Sequence, residues 1–476
     1  MMRKSLLLFG LLISSFSLFA QGPWTLQDCI KYAEENSIAI KQAQLNIQSA
    51  LLDKRQSQLS RIPSLNGSIS AGEQFGRTID PTTNSFDNQA IGFNTFRLES
   101  GVLLFGGNRV NKSIQSAKTQ AEIARLDGET AANNLRLNVA SAYLNILLAE
   151  ESLRNAKNRM ALSERQLDQV NKFIKAGSRP ANDRLSVQAQ LAIDNQAVIQ
   201  AQNGVDIAYL SLRNLLLLPD DKEFSIVEPD LAEPDEAALV DANFPMVYSA
   251  AMNTQPQIKS AETQVKAASI FEDIEKSGYY PSLSAFARLT SNWSSAAKTI
   301  TGFTSETVEQ DIFFQDNPND PITIGISQMV PIREDQPYWD QLEQNFGQTV
   351  GLSLNIPIYN NHDVITRSQK AEINTLRAEN NAELARQQLK TDVQNAVANA
   401  KAARETFAAA KLSLEANRIA FDNAEKQFNL GAISTFELGN SRTNLDLAQT
   451  EFIRSKYDYI FRLKIVEFYL GRDLKF

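Results

Sequence analysis

Two short stretches some 254 positions apart constrain this chain more than any other feature. Gly101-Val-Leu-Leu-Phe-Gly-Gly-Asn-Arg-Val-Asn-Lys-Ser113 reads as the end of a strand, two glycines and the start of a polar helix. Ile356-Pro-Ile-Tyr-Asn-Asn-His-Asp-Val-Ile-Thr-Arg-Ser368 reads as the same corner. At that offset Phe105 falls on Tyr359, Ala117 on Ala371, Leu135 on Leu389, Val139 on Val393, Gly177 on Gly431 and Leu191 on Leu445. The register holds for about ninety residues without a net gap, so one design is used twice, over 21–225 and 226–476. The Pro-rich, acidic stretch 219–234 reads as a linker or a small side structure.

Each half predicts the same order of elements. A helix (about 26–60, then 245–277) precedes two strands (about 62–72 and 95–105, then 280–290 and 349–359) separated by a polar loop. A long helix follows the corner (108–176 and 362–430), and a shorter one returns (181–218 and 434–470). Gly177 with Pro180, and Gly431 with Ser434, supply the stop-and-restart chemistry of the turns. The long helices have about 69 residues, or ~100 Å at ~1.5 Å per residue, and each pair of shorter helices laid end to end matches one of them. Apolar residues recur in alternating steps of three and four at 153, 156, 160, 163, 167, 170 and 174, and again at 407, 410, 414, 417, 421, 424 and 428. That is a coiled-coil seam, and its polar exceptions, Ser163 and Asn417, fall at matched places suited to setting register.

The strands alternate with period two: Val350, Leu352, Leu354, Ile356 and Ile358 are apolar, with Gly351, Ser353 and Asn355 between them. Phe96, Leu98, Val102 and Leu104 match them in the first half, with Arg97 and Glu99 on the opposite face. About ten residues suffice for a tilted strand to cross a bilayer, although a half-buried soluble sheet alternates in the same way. Four strands cannot close a barrel, and an open edge in lipid leaves backbone groups unpaired at several kcal/mol each. A lipid-facing sheet of this kind therefore has to be shared among copies, two giving eight strands and three giving twelve.

Composition excludes more than it identifies. A net charge of −8 leaves no basic footprint for nucleic acid. Arg3 and Lys4, the apolar run from Leu6 to Phe19 and the small Ala20 read as a secretory leader over 1–20. No later run reaches the ~18 apolar residues of a membrane-spanning helix. Cys29 is the single cysteine, which rules out a disulfide within the chain and suits a buried apolar role. His362 is the single histidine, read as a turn residue. Neither a His/Cys cluster, a phosphate loop nor a nucleophile elbow is present, so the expectation is no enzyme, no cofactor and no metal.

The stretches LLFGGNR (103–109) and LSLNIPIYNN (352–361) at the corners, with FIKAGSRPANDRLSVQAQL (173–191) and FNLGAISTFELGNSRTNL (428–445) at the far turns, resemble the TolC family of outer-membrane efflux proteins. The resemblance covers about Gln21–Phe476. It implies a mainly α chain with membrane β-strands, assembled as a homotrimer whose twelve-stranded β-barrel stands on a twelve-helix α-barrel. It also implies outer-membrane lipid around the barrel, and docking of a periplasmic adaptor and an inner-membrane pump of RND or ABC type. The docking face falls on the turns Gly177, Pro180, Gly431 and Ser434. Acidic rings at the entrance of the family place Glu437 at one ring position, whereas the next falls on Asn440, a departure that weakens a double ring. Asp183 matches an acidic member of the family's closing network; its basic partner falls on Ile433, with Arg179 at the equivalent place in the other repeat. The bland alternative is that these charges are solvated turn residues. Gly106, Gly107, Asn360 and Asn361 are the corner residues expected to take unusual backbone angles. The outer loops, 72–95 and the longer acidic 291–348, are expected as a lid or as surface decoration. A periplasmic coiled-coil adaptor is the competing function, set against by two long hairpins and four strands where an adaptor has one hairpin.

Overall fold

The computed structural model describes residues 23–79, 86–87, 90–219, 223–229, 243–314 and 317–472; the expected leader lies outside them. The first half runs α1 (Leu26–Asn36), α2 (Ile38–Leu59), β1 (Ser64–Gln74), β2 (Thr78–Ile79), β3 (Phe86–Asp87), β4 (Ile91–Gly106), α3 (Arg109–Lys175) and α4 (Asp183–Leu216). The second runs α5 (Phe244–Thr254), α6 (Pro256–Lys276), a short 3-10 turn, β5 (Ser282–Ser294), β6 (Lys298–Phe314), β7 (Asn317–Asp335), α7 (Tyr338–Gln344), β8 (Gly347–Asn355), α8 (Asp363–Asn429) and α9 (Thr435–Tyr469).

Several boundaries differ from the sequence reading for local reasons. The first helix of each half is two helices. Ser37 interrupts the first in a non-helical conformation, and Pro256, which has no N–H to give, begins a new helix after the extended Gln255. The last strand stops at Asn355, so Ile356 and Ile358 lie beyond it; Pro357 cannot donate to a ladder. The second outer loop is not a polar loop: β6 and β7, of 17 and 19 residues, form a long antiparallel hairpin.

The chain folds as two compact units that cut across the repeat. One gathers the residues up to Leu51 with Thr119–Ala267 and Thr375–Phe476; the other gathers Leu52–Lys118 with Ala268–Asn374. The first unit is helical. Trp24, Cys29, Tyr143, Leu212, Leu216 and Ile460 are buried in one cluster, and Val247, Leu389, Phe407 and Tyr459 in a second. The join between the halves is held here. Trp24 bridges Ile226 in parallel, and the Tyr143 hydroxyl donates to the Val227 carbonyl at 2.5 Å. Cys29 is fully buried, and desolvation pushes its thiol up to about 12, which leaves it inert at neutral pH.

The coiled-coil seam is present in the same unit. Ala156, Ser163 and Val170 are buried on α3, as are Phe407, Ala410, Phe421 and Phe428 on α8. The two polar exceptions behave differently. Ser163 is fully buried among charged partners, whereas the Asn417 amide donates to the Ser413 carbonyl of its own helix at 2.8 Å.

In the second unit the strands β1-β4-β5-β8 form one antiparallel sheet in that order, leaving β1 and β8 as open edges. The registers place Leu65, Ile69, Leu98, Leu289, Val350 and Leu352 on one face. The other face carries Ser68, Ser70, Arg97, Glu99, Arg288 and Thr349, with Arg288 and Glu99 paired at 2.6 Å. The apolar face is not covered: Ile69 is 73%, Val350 85% and Leu352 66% exposed. An extended sheet with one bare apolar face and two bare edges is unstable in water and demands another environment.

Candidate functional site

Three groups of residues carry the functional argument: the strand-to-helix corners, the hairpin turns, and a buried polar cluster that sequence reasoning did not find.

At each corner the chain must leave a strand and start a helix within a few residues. The left-handed residues are Gly107 (φ 58°) and Asn108 (φ 66°) in one repeat, and Asn361 (φ 53°) and His362 (φ 62°) in the other. Gly106 and Asn360, expected to share this role, do not: Gly106 is still the last residue of β4, and the left-handed pair begins one position later. The pairs correspond at the 254 offset, and the following amides repeat the correspondence. Lys112 N–H donates to the Asn108 carbonyl at 3.1 Å, and Thr366 N–H to that of His362 at 2.9 Å. Glycine is required at 107 for space as well as angle, since a Cβ there would sit 2.8 Å from the Tyr280 ring and 2.9 Å from the Ser277 carbonyl oxygen. His362 is therefore a turn residue, its ring edge-on to Tyr359 at 6.3 Å.

The turns at the other ends of α3 and α8 also match. Gly177 (φ 75°) and Gly431 (φ 77°) are left-handed. Ser178 N–H donates back to the Phe173 carbonyl at 3.0 Å, and Ala432 N–H to that of Gln427 at 2.9 Å, closing Schellman turns on both helices. The restarts diverge. Ser434 caps α9, and the Glu437 carboxylate accepts from its backbone N–H at 2.9 Å and its hydroxyl at 3.1 Å. Those bonds hold the Glu437 carboxyl below its ordinary value. In the first repeat Pro180 occupies the Ser434 position, and Asn182 precedes α4 with no side-chain cap.

Arg179 joins the two turns. Its guanidinium donates to the carbonyls of Phe428 and Ile433, both at 3.2 Å, and lies over the Phe428 ring at 4.3 Å. Asp183 pairs with Arg179 at 3.6 Å. Val170, Val187, Phe421, Phe428 and Leu438 form an apolar cluster at these ends, drawn from α3, α4, α8 and α9. Arg179, Asp183 and the second turn thus form one group; Glu437 is exposed and engaged in its own cap, and Asn440 is exposed on α9.

Further along the helices lies the cluster that was missed. Arg442 (3% exposed) meets Asp194 (1% exposed) at 2.7 Å. It also donates to the Ser163 hydroxyl at 2.7 Å, Gln166 Oε1 at 2.9 Å and the Arg159 carbonyl at 2.8 Å. Ser163 in turn donates to Asp194. Asp446 stands 3.8 Å from Arg442 and 3.9 Å from Arg159, and burial raises its carboxyl above the ordinary value. Two cations and two carboxylates from α3, α4 and α9 balance, so the second repeat's return helix is clamped into the first repeat's hairpin. The repeat itself held the signal. The 254-offset counterparts of Arg159, Asp194, Arg442 and Asp446 are Ser413, Ala448, Gln188 and Ala192, so every charged member is unique to one copy.

Among the described residues no set of three His, Cys, Asp or Glu side chains converges as a metal site. No described helix is long and apolar enough to cross a membrane, which says nothing of strands.

Known proteins agree with this geometry. A family model described as outer membrane efflux protein matches residues 29–216 and again 247–472. Outer membrane protein TolC of Salmonella enteritidis is 23% identical over 214 residues, spanning 44% of each chain. Outer membrane efflux protein BepC of Brucella suis is 27% identical over 111 residues, 23% of this chain and 24% of that one. The aligned stretches thus span less than half of either relative. Solved structures match more completely in fold. CusC superposes with a TM-score of 0.73 at 17% identity over 96% of both chains. VceC of Vibrio cholerae gives 0.71 at 13% identity over 94% of this chain and 97% of that one. With a corner, a long hairpin and a sheet half in each repeat, and the family model matched once to each repeat, the chain belongs to the outer membrane efflux protein family.

Proposed function

We propose that this chain is a passive exit duct of the outer membrane, assembled from three copies. The observation that carries the reading is the four-stranded sheet with one bare apolar face, one polar face and both edges open. In lipid an unpaired edge costs several kcal/mol per backbone group, so the β1 edge of one copy pairs with the β8 edge of the next until the sheet closes. Strands of 9 to 16 residues are long enough to cross. The family supplies the count of three, giving twelve strands with the apolar face to lipid and the Arg97, Glu99 and Arg288 face to a hydrated lumen. The twelve-helix tunnel of the periplasm follows from the same count. As the family resemblance implies, transport is driven by an inner-membrane pump of RND or ABC type through a periplasmic adaptor. The turns at Gly177, Pro180, Gly431 and Ser434 are the adaptor-docking face, and Arg179, Asp183, Glu437 and Asn440 line the entrance.

Arg179 is the fastening of that entrance, because it donates to carbonyls of the other turn within its own chain. The reading is tested by fractionation, mass measurement in detergent and planar-bilayer recording. The protein is expected in the outer-membrane fraction as a trimer, with single channels whose conductance rises in Arg179→Ala and is not restored by Arg179→Lys, which lacks the planar fork. A periplasmic monomer without channel activity overturns the duct. Unaltered conductance in both variants removes Arg179 from the gate.

A further inference from the structure

We propose that the β6–β7 hairpin is an assembly surface whose apolar face packs against the same hairpins of neighbouring copies of this chain. The inference rests on the shared-barrel reading above and adds an interface outside the barrel sheet.

The ribbon's register gathers its branched aliphatic residues on one face, which the Glu306–Gln328 pair interrupts nearer the root, while Phe303 and Met329 lie on the other. Val308 pairs with Ile326, Gln310 with Ile324 and Ile312 with Ile322, which puts these residues on one face together with Ile332. The intervening pairs, Ser305 with Met329, Thr307 with Ser327, Glu309 with Gly325 and Asp311 with Thr323, occupy the other. That second face bonds within itself: the Ser305 and Ser327 hydroxyls meet at 2.5 Å, and Thr323 donates to Asp311 at 2.6 Å. The aliphatic face remains open to solvent, with Val308 44%, Ile312 36%, Ile322 57%, Ile324 38% and Ile326 42% exposed. A two-stranded ribbon is marginal in water even without such a face, and three or more strands or a packed layer are needed to hold one. A contiguous aliphatic strip on it marks a contact surface.

The choice of occupant follows from where the ribbon is rooted. Within the described residues the first half's outer segment offers only β2 and β3, two residues each, too small to cover the strip. Lipid is a poor partner, because both ribbon edges carry unpaired backbone N–H and C=O groups that need water or protein. The ribbon leaves from β5 and returns through α7 into β8, the open edge that takes the next copy's β1. A neighbouring copy therefore arrives at the root of the ribbon as a condition of closing the sheet, in fixed stoichiometry and bearing an identical aliphatic strip. Contact between ribbons continues that interface beyond the membrane strands.

The test uses the full-length protein in its own outer membrane, in a Cys29→Ser background. Ile324→Cys places a thiol on the aliphatic face and Glu309→Cys one on the polar face. A short bismaleimide is expected to join Ile324→Cys copies to one another, and the joined band should be lost in Glu309→Cys. As a second measurement, Ile324→Asp with Ile326→Asp should lower the temperature at which the trimer dissociates in detergent. A trimer whose Ile324→Cys thiols stay uncrosslinked, or couple to a different protein, overturns the ribbon interface and leaves the duct intact. A protein that is not a trimer in detergent overturns the duct reading itself.

Discussion

The corners and the turns, at opposite ends of the same helices, differ in how closely the two repeats match. The corners are near copies: a left-handed pair at 107–108 and another at 361–362, each followed by an equivalent amide bond. The turns keep the left-handed glycine and the Schellman closure, then part company. One restarts with a Ser434–Glu437 capping box, the other with Pro180 and an Arg179 that reaches into its counterpart. The difference teaches that backbone geometry is conserved where a single repeat must solve a problem alone. Where the repeats meet, identity is useless, since two arginines repel; complementarity requires the copies to differ.

The largest expected effect tests that complementarity. Arg442→Leu strands Asp194 in a buried site, at a cost of about 3–5 kcal/mol. The double variant Arg442→Leu with Asp194→Leu should recover most of it, read as denaturant midpoints in detergent. If the single change is silent, the clamp is not holding the hairpins. The next effect tests the corners. Gly107→Val forces a branched residue into a left-handed angle and against Tyr280, costing about 1–3 kcal/mol with loss of assembled protein. Asn361→Gly, at the matched position, should be neutral or mildly stabilising in the same assay. Equal damage at both positions would mean that the corners are not equivalent. The smallest effect belongs to Glu437. Its folded carboxyl lies below its unfolded value, so its contribution is present above the ordinary carboxylate range and lost as pH falls through the folded value. Amide protection in the first turn of α9, taken relative to the intrinsic exchange rate, should fall in the parent chain as pH drops below the ordinary carboxylate range, and be reduced already at neutral pH in Glu437→Gln. The same variant should change cation block of the channel; unchanged single-channel behaviour would leave Glu437 as a cap alone.

Much of this was readable from residues. Turn glycines, seam spacing and strand alternation are local patterns with one physical solution each, and Gly177, Phe421 and Val350 appear in the roles their spacing predicts. Gly106 and Gly107 look equally permissive in sequence; what separates them is that Gly106 still pairs with Ser282 in the ladder, whereas Gly107 takes the left-handed angle against Tyr280. The ribbon was hidden by its acidic neighbours, although Ile322, Ile324 and Ile326 alternate as plainly as β8 does. Arg442 looked like one more helix charge. Its meaning depends on Asp194, 248 positions away, and no local pattern carries that distance.

The pairing of β4 with β5 has a consequence for how the chain is made. Phe93 meets Ser294 and Gly101 meets Phe286, so the centre of the sheet is a contact between halves of the chain rather than within either. Closing so long a loop is entropically slow, and nothing local can substitute for it. A nascent first half therefore emerges with β4 unpaired along one side and its apolar face bare, and stays so until β5, early in the second half, has been synthesised. During that interval the chain is a sticky half-sheet, and its safe passage depends on being held unfolded until the rest arrives.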